Sequence, residues 1–308
     1  MSMAITFANA LMLFTGAAAT LAVLRAAAHY AIRVTLAAPC VRETETPAAR
    51  GLAFETVRIP TANGRQLHAW LIPRAATGRA PGVVLVHGWG GNAQAMLPLA
   101  GPLHRAGFTT LLIDARCHGL SDADTFASLP RFAEDASHAC DWLAARTDID
   151  AQRIALLGHS VGAGAVLLAA ARRADIAAVV SVSAFAHPEE MMRRVLAAKR
   201  IPDVLARYIL RHVERTIGHR FDDIAPLASI ARLRCPVLLV HGEQDIIVPP
   251  ADARRLHAAA RPGAVDLLIL SGDHESFTDM ERELAAVVVF LQRAFWPCGI
   301  SWPPERRN

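Results

Sequence analysis

Six short, almost uninterrupted apolar runs constrain what this chain can fold into more than any other feature. They are residues 83–86, 109–113, 154–157, 177–182, 237–240 and 265–270. Their length and β-branched content suit strands buried on both faces of a sheet, since a strand with one wet face alternates apolar and polar side chains. Around them, residues 93–106, 132–145, 161–173, 251–260 and 278–295 carry apolar side chains three and four apart, the spacing of one helix face. Strands alternating with helices predict a mostly parallel sheet, helices on both faces and right-handed crossovers. Residues 54–59 and 66–72 alternate instead and flank Asn63-Gly64, a hairpin signal, so the sheet opens antiparallel.

One section breaks the rhythm. Residues 185–226 hold no strand signal and read as two or three helices, with Val204, Leu205, Tyr208, Ile209 and Val213 on an amphipathic stripe. Such an insertion, at an edge built from loops, is expected to form a helical cap; an extra packing helix pair is the plainer alternative. The expected organisation is an N-terminal helix and linker over 1–42, then a catalytic domain over 43–308 with its cap at 185–226.

The first 24 residues pose a separate question. Residues 3–24 contain no charge, and as a helix they would extend roughly 33 Å against a hydrocarbon core of about 30 Å. A secretory signal lacks its basic start here, and a packed helix is a second option. A single-span or interfacial anchor fits best. Arg25, Arg33, Arg42 and Arg50 follow it with no basic residue before it. The positive-inside rule then puts the catalytic domain in the cytoplasm. Five dispersed cysteines (Cys40, Cys117, Cys140, Cys235 and Cys298) without metal-like spacing suit free thiols in a reducing compartment. The net charge of +4 comes from scattered arginines, with Lys199 the single lysine, and no basic block or aromatic-interleaved stripe points to nucleic acid.

The chemistry gathers where the buried runs end. Gly158-His159-Ser160-Val161-Gly162 joins the run 154–157 to a helix. A strand turning sharply into a helix lifts the Ser160 hydroxyl from the sheet edge, and glycines on either side leave room for the contacts of that corner. The run 83–86 leads into His87-Gly88-Trp89-Gly90-Gly91-Asn92. The N–H groups of Trp89 and Val161 are therefore the expected oxyanion donors. Trp89 and His159, flanking that point, are the expected substrate contacts.

Ser160 needs a base, and the base needs an orienting acid. Of 13 histidines, His274 lies directly after the last run and before the last helix, at the edge that carries Ser160. Asp245 follows the run 237–240 and is the favoured acid, with Glu243 and Asp273 as rivals. The order Ser, Asp, His along the chain fits this type of site.

Taken together, His87–Asn92, Asp114–Ser121, Gly158–Gly162, His241–Asp245 and Gly272–His274 resemble the α/β-hydrolase superfamily, in particular its bacterial esterase and serine-aminopeptidase-like branches. The resemblance covers residues 54–295. It implies an eight-stranded-type sheet, the triad Ser160, Asp245 and His274, and oxyanion donors at Trp89 and Val161. It implies no metal and no organic cofactor, and esters, thioesters or short peptides as substrates. Cys117 stands where the family's D-x-R-G-H-G-x-S segment has glycine. The expected partner is a small apolar ester or acyl substrate, not nucleic acid. A thioesterase, a peptidase, a membrane-side acyltransferase and a non-catalytic binding protein are the alternatives.

Overall fold

A computed structural model describes the backbone of residues 2–74, 78–276 and 280–296, with side chains other than those of 2–14, 17 and 280–284. Eight strands form one sheet: β1 (Glu55–Thr61), β2 (Arg65–Ile72), β3 (Ala80–Val86), β4 (Thr109–Ile113), β5 (Ile149–His159), β6 (Ala178–Val182), β7 (Val237–Gly242) and β8 (Val265–Leu270). Their spatial order is β1-β2-β4-β3-β5-β6-β7-β8. The β1–β2 and β2–β4 pairs are antiparallel, and every other pair is parallel. Asn63 and Gly64 turn the opening hairpin with φ of 61° and 65°, a conformation that asparagine and glycine tolerate best.

Each apolar run serves two cores because successive strand residues face opposite ways. Val84, Val86, Leu156, Val179 and Leu239 face α3 (Leu129–Ala144) and α4 (Val161–Arg172), while Val83, Leu85, Leu157, Val180 and Leu238 face α2 (Leu97–Arg105) and α10 (Met280–Phe295). The remaining helices are α1 (Ser2–Thr35), α5 (Pro188–Ala198), α6 (Asp203–Ile217), α7 (Phe221–Ile224), α8 (Pro226–Ile230) and α9 (Pro250–Ala259). The expected helix over 93–106 begins instead as a 3₁₀ turn, Ala93–Met96, capped by the Asn92 side chain on the Gln94 N–H. The first residues of the helix expected over 278–295 lie outside the described residues.

Four helices, α5 to α8, fill the break between β6 and β7, where two or three were expected. The stripe expected on α6 is corrected in part. Ala206, Ile209 and Leu210 are its buried residues and Val213 packs half-buried, whereas Val204, Leu205 and Tyr208 are exposed. Tyr208 turns toward the N-terminal helix instead, its hydroxyl 2.8 Å from His29 Nε2, and the His212 ring stacks on His29 at 3.8 Å. Arg33 of α1 donates to the Thr125 carbonyl at 2.9 Å. Among the described residues no helix is long and apolar enough to cross a membrane; the anchor expected of residues 3–24 falls for the most part outside them. The side chains of 3–14 and 17 lie outside the described residues. Cys40, Cys117, Cys140 and Cys235 are free thiols, and Cys298 is outside the described residues.

A buried charge cluster joins the loop after β4 to α3. Arg116 Nε donates to Asp135 Oδ1 at 2.7 Å, and its main-chain N–H donates to Asp135 Oδ2 at 2.8 Å. Thr61 adds a third hydrogen bond to Asp135, and Asp124 and Glu134 also pair with the guanidinium. Neither the Arg116 nor the Asp135 side chain reaches solvent to any useful extent, so removing Asp135 leaves the buried guanidinium undercompensated and orphans the Arg116 N–H and the Thr61 hydroxyl. Asp135→Ala is expected to lower unfolding free energy by about 3–5 kcal/mol in urea titrations.

Candidate active site

The corner between β5 and α4 is made by main chain pressed on main chain. A side-chain carbon on Gly162 would lie 2.4 Å from the carbonyl oxygens of Val86 and His87, and one on Gly158 would lie 2.3 Å from the Gly162 oxygen. No real carbon tolerates such contacts, so both positions exclude every other residue. Between them Ser160 adopts φ 55° and ψ −116°, a strained conformation for a residue with a side chain, costing on the order of 1–3 kcal/mol. Its N–H bonds the Val182 carbonyl at 2.9 Å, and its own carbonyl accepts from Gly164. Those bonds tie the corner to β6 and to the first turn of α4.

Two loops from farther along the chain reach the Ser160 hydroxyl. His274, on the loop after β8, places Nε2 3.0 Å from Ser160 Oγ and Nδ1 2.7 Å from Asp245 Oδ2. A carboxylate only accepts, so Nδ1 carries the proton and Nε2 of the neutral ring accepts from the hydroxyl. Asp245 follows β7, and its other oxygen takes the N–H groups of Ile247 and Val248 at 2.9 and 2.8 Å. Both Asp245 and His274 are buried. The two loops interlock because a side-chain carbon on Gly242 would meet the Asp273 carbonyl oxygen at 2.4 Å.

The rival acids lie elsewhere. Asp273 caps its own turn, accepting from Glu275 and Ser276, and Glu243 is exposed. Two histidines that sequence reasoning left without this role brace the base and acid. His159 donates from Nε2 to the His274 carbonyl at 2.8 Å, and burial holds its own ring below the ordinary histidine range. His241 bonds the Val248 carbonyl and lies 3.3 Å from Asp245 Oδ2. The available signal for His241 was its place at the end of a buried strand, four residues before the acid.

Opposite stands the loop after β3. A side-chain carbon on Gly88 would be 3.2 Å from Ser160 Cβ, so this backbone lies directly against the corner. Gly91 N–H closes a turn on the Gly88 carbonyl, and Gly90 takes φ 74°. Trp89 sits at the apex of that turn. Among the described residues its N–H has no protein acceptor, and Val161 opens α4, where the first N–H groups lack intrahelical partners. The Trp89 ring is 40% exposed, stacked on Phe132 and edge-on to His118.

The 114–121 loop supports this turn from beneath. Asp114 accepts from Ala93 and Leu120 N–H, both at 2.7 Å, and Ser121 Oγ donates to the Asp114 carbonyl. Cys117 keeps the left-handed φ of 67° that glycine would favour. Its thiol is fixed by the Asp124 N–H and carbonyl at 3.1 and 3.4 Å. A local side-chain to main-chain pair therefore stabilises the conformation that the substitution put in question.

Comparison with known proteins agrees with this fold. Residues 79–220 match the family model described as serine aminopeptidase, S33. The chain is 32% identical over 208 residues to the uncharacterized protein Rv2307c of Mycobacterium tuberculosis, covering 68% of each. It is 29% identical over 258 residues to the uncharacterized protein YfhR of Salmonella typhimurium, covering 78% of this chain and 82% of that protein. Among solved structures it is similar to the Pyrococcus furiosus esterase Pf2001, with TM-score 0.70, 20% identity and coverage of 84% of this chain and 98% of the other. It is also similar to Est1E from Butyrivibrio proteoclasticus bound to ferulic acid, with TM-score 0.61, 21% identity, and 78% and 99% coverage.

His87 makes the Ser160-facing loop sensitive to acid. Its Nε2 accepts from the Ala115 N–H at 3.1 Å, which leaves Nδ1 as donor to the Gly88 carbonyl at 2.7 Å. The ring is neutral by geometry. Burial, then the neighbouring His118, pushes its pKa down to about 3. The unfolded chain protonates this histidine near 6.5, so its contribution to stability is full above that pH and declines as pH falls toward 3. Stability at pH 4.5 should lie about 2–3 kcal/mol below that at pH 7 from this residue alone. Denaturant unfolding at both pH values tests this, with His87→Gln expected to flatten the difference.

Proposed function

This chain belongs to the α/β-hydrolase superfamily, and on that premise we propose that it is a serine hydrolase cleaving carboxylic esters of apolar acids through an acyl-Ser160 intermediate. The observation that carries the reading is the unbroken hydrogen-bond path from Asp245 through His274 to Ser160. His274 takes the hydroxyl proton as Oγ attacks the ester carbonyl, and Asp245 stabilises the imidazolium that forms. The oxyanion of the tetrahedral intermediate meets the N–H groups of Trp89 and Val161. His274 then protonates the departing alkoxide, and water repeats the sequence to release the acid.

An apolar acyl group suits the exposed apolar side chains carried on the loops after β3, β4 and β7. Trp89, Leu120 and Ile247 expose large apolar surfaces, and residues 185–226 act as a cap within a hydrolase domain of 43–308. His159, beside Ser160, is the second substrate contact. The esterases among the structural relatives agree with this choice. Peptide hydrolysis is the second reading, favoured by the description of the matching family, serine aminopeptidase.

A fluorophosphonate probe should label the wild-type chain and leave Ser160→Ala unlabelled; equal labelling of both would identify a different nucleophile. Asp245→Asn should lower kcat about 10³–10⁴-fold, because the ring loses its fixed tautomer. A panel of acyl esters against aminoacyl anilides separates the two readings. Faster turnover of the anilides would displace the ester assignment.

A further inference from the structure

Behind the active-site loops lies a buried group of donors that the proposed hydrolysis does not use. Glu43, His68 and Asp114 bring their ligating atoms within 4.8 Å of one another. His68, on β2, is 4% exposed and Asp114, at the end of β4, is fully buried. The Nε2 of His68 is buried without a hydrogen-bond partner, and no N–H or hydroxyl reaches the buried oxygens of Glu43, which lie beside the Asp114 carboxyl. Asp114 accepts one main-chain N–H at each oxygen, which orients the carboxylate and leaves a lone pair on each.

Two carboxylates that meet in a buried space need a proton or a cation between them, and the buried imidazole nitrogen needs a partner of its own. A shared proton would relieve the two acids but leave the imidazole nitrogen orphaned. A cation would satisfy all three. The surroundings also fix Glu43 in place, although it comes from the linker after α1. Asn92 Nδ2 donates to the Val41 carbonyl at 3.0 Å, and the Gln94 side-chain oxygen accepts from Thr44 and Glu45 N–H at 2.6 and 3.0 Å. Pro39 packs on Gly90. The linker therefore lies along the loop that carries Trp89, held on both sides of the Glu43 carboxylate.

We propose that Glu43, His68 and Asp114 form a structural site for one divalent transition-metal cation of the zinc class, clamping the N-terminal linker to the base of the oxyanion loop. An imidazole nitrogen with two carboxylates favours zinc-class ions over calcium or magnesium, which take oxygen ligands. With metal–ligand bonds of about 2.0–2.2 Å, small side-chain rotations bring the three donors onto one ion.

The test uses the full chain, stripped with a chelator and titrated with Co²⁺, whose visible bands report nitrogen and oxygen ligation. About one Co²⁺ per chain should bind, be displaced by Zn²⁺, and raise the thermal midpoint. Glu43→Gln, a change in the linker rather than in a strand, should weaken Co²⁺ binding by roughly 10–100-fold. His68→Gln should do the same, and His274→Ala should leave the titration unchanged. Absence of a stoichiometric band in the wild-type chain would overturn the proposal in favour of a shared proton. Loss of binding in His274→Ala with retention in Glu43→Gln would overturn it by moving the ion to His159, His274 and Glu275, which also lie close together.

Discussion

The absence of two side chains, at residues 158 and 162, is the constraint from which the catalytic edge is built. Main-chain carbonyls of Val86 and His87 lie where a carbon on residue 162 would be. That contact presses α4 against the end of β3 and forces Ser160 into a conformation the backbone resists. The sheet supplies the counterweight. Five consecutive parallel pairings hold β3 to β8 in register, so relaxing the corner would mean displacing strands buried on both faces.

The supporting groups work outward from that corner in layers. His274 and Asp245 come from separate loops, yet the Gly242 contact with the Asp273 carbonyl makes the loops one unit. His159 then holds the base from the nucleophile's own strand by bonding its carbonyl. On the other side, His87 connects the Trp89 turn to the loop after β4 through Ala115 and Gly88. The same loop anchors in Arg116 and Asp135. Each reacting group is thus positioned by main-chain hydrogen bonds and buried polar contacts, with few degrees of side-chain freedom left.

Much of this was legible in the chain because it is periodic or glycine-marked. The six apolar runs became six of the eight strands, and Asn63-Gly64 became the hairpin, because burial on two faces and a left-handed turn both restrict residue choice strongly. That Ser160, His274 and Asp245 would meet at one sheet edge was readable from their places after strands. The misreadings fall where periodicity is satisfied by more than one partner. Tyr208 matched a core stripe but meets His29 of α1, a contact that local spacing cannot encode. The bracing by residues 39–45 had no signal at all, since a linker that docks through its main chain leaves no side-chain pattern.

The helices between β6 and β7 enter and leave through neighbouring strands whose own pairing, Val180 with Leu238 among others, is complete without them. Pro226, at the head of α8, packs on Gly164 of α4, so the end of the insertion is tied to the Ser160 corner, and α5 to α7 precede that tie. They are in effect an interchangeable cassette. A lineage could enlarge, shrink or replace that part of the segment while Asp245, His274 and Ser160 kept their hydrogen-bond path, so the surroundings of the site and its inner geometry can drift at separate speeds.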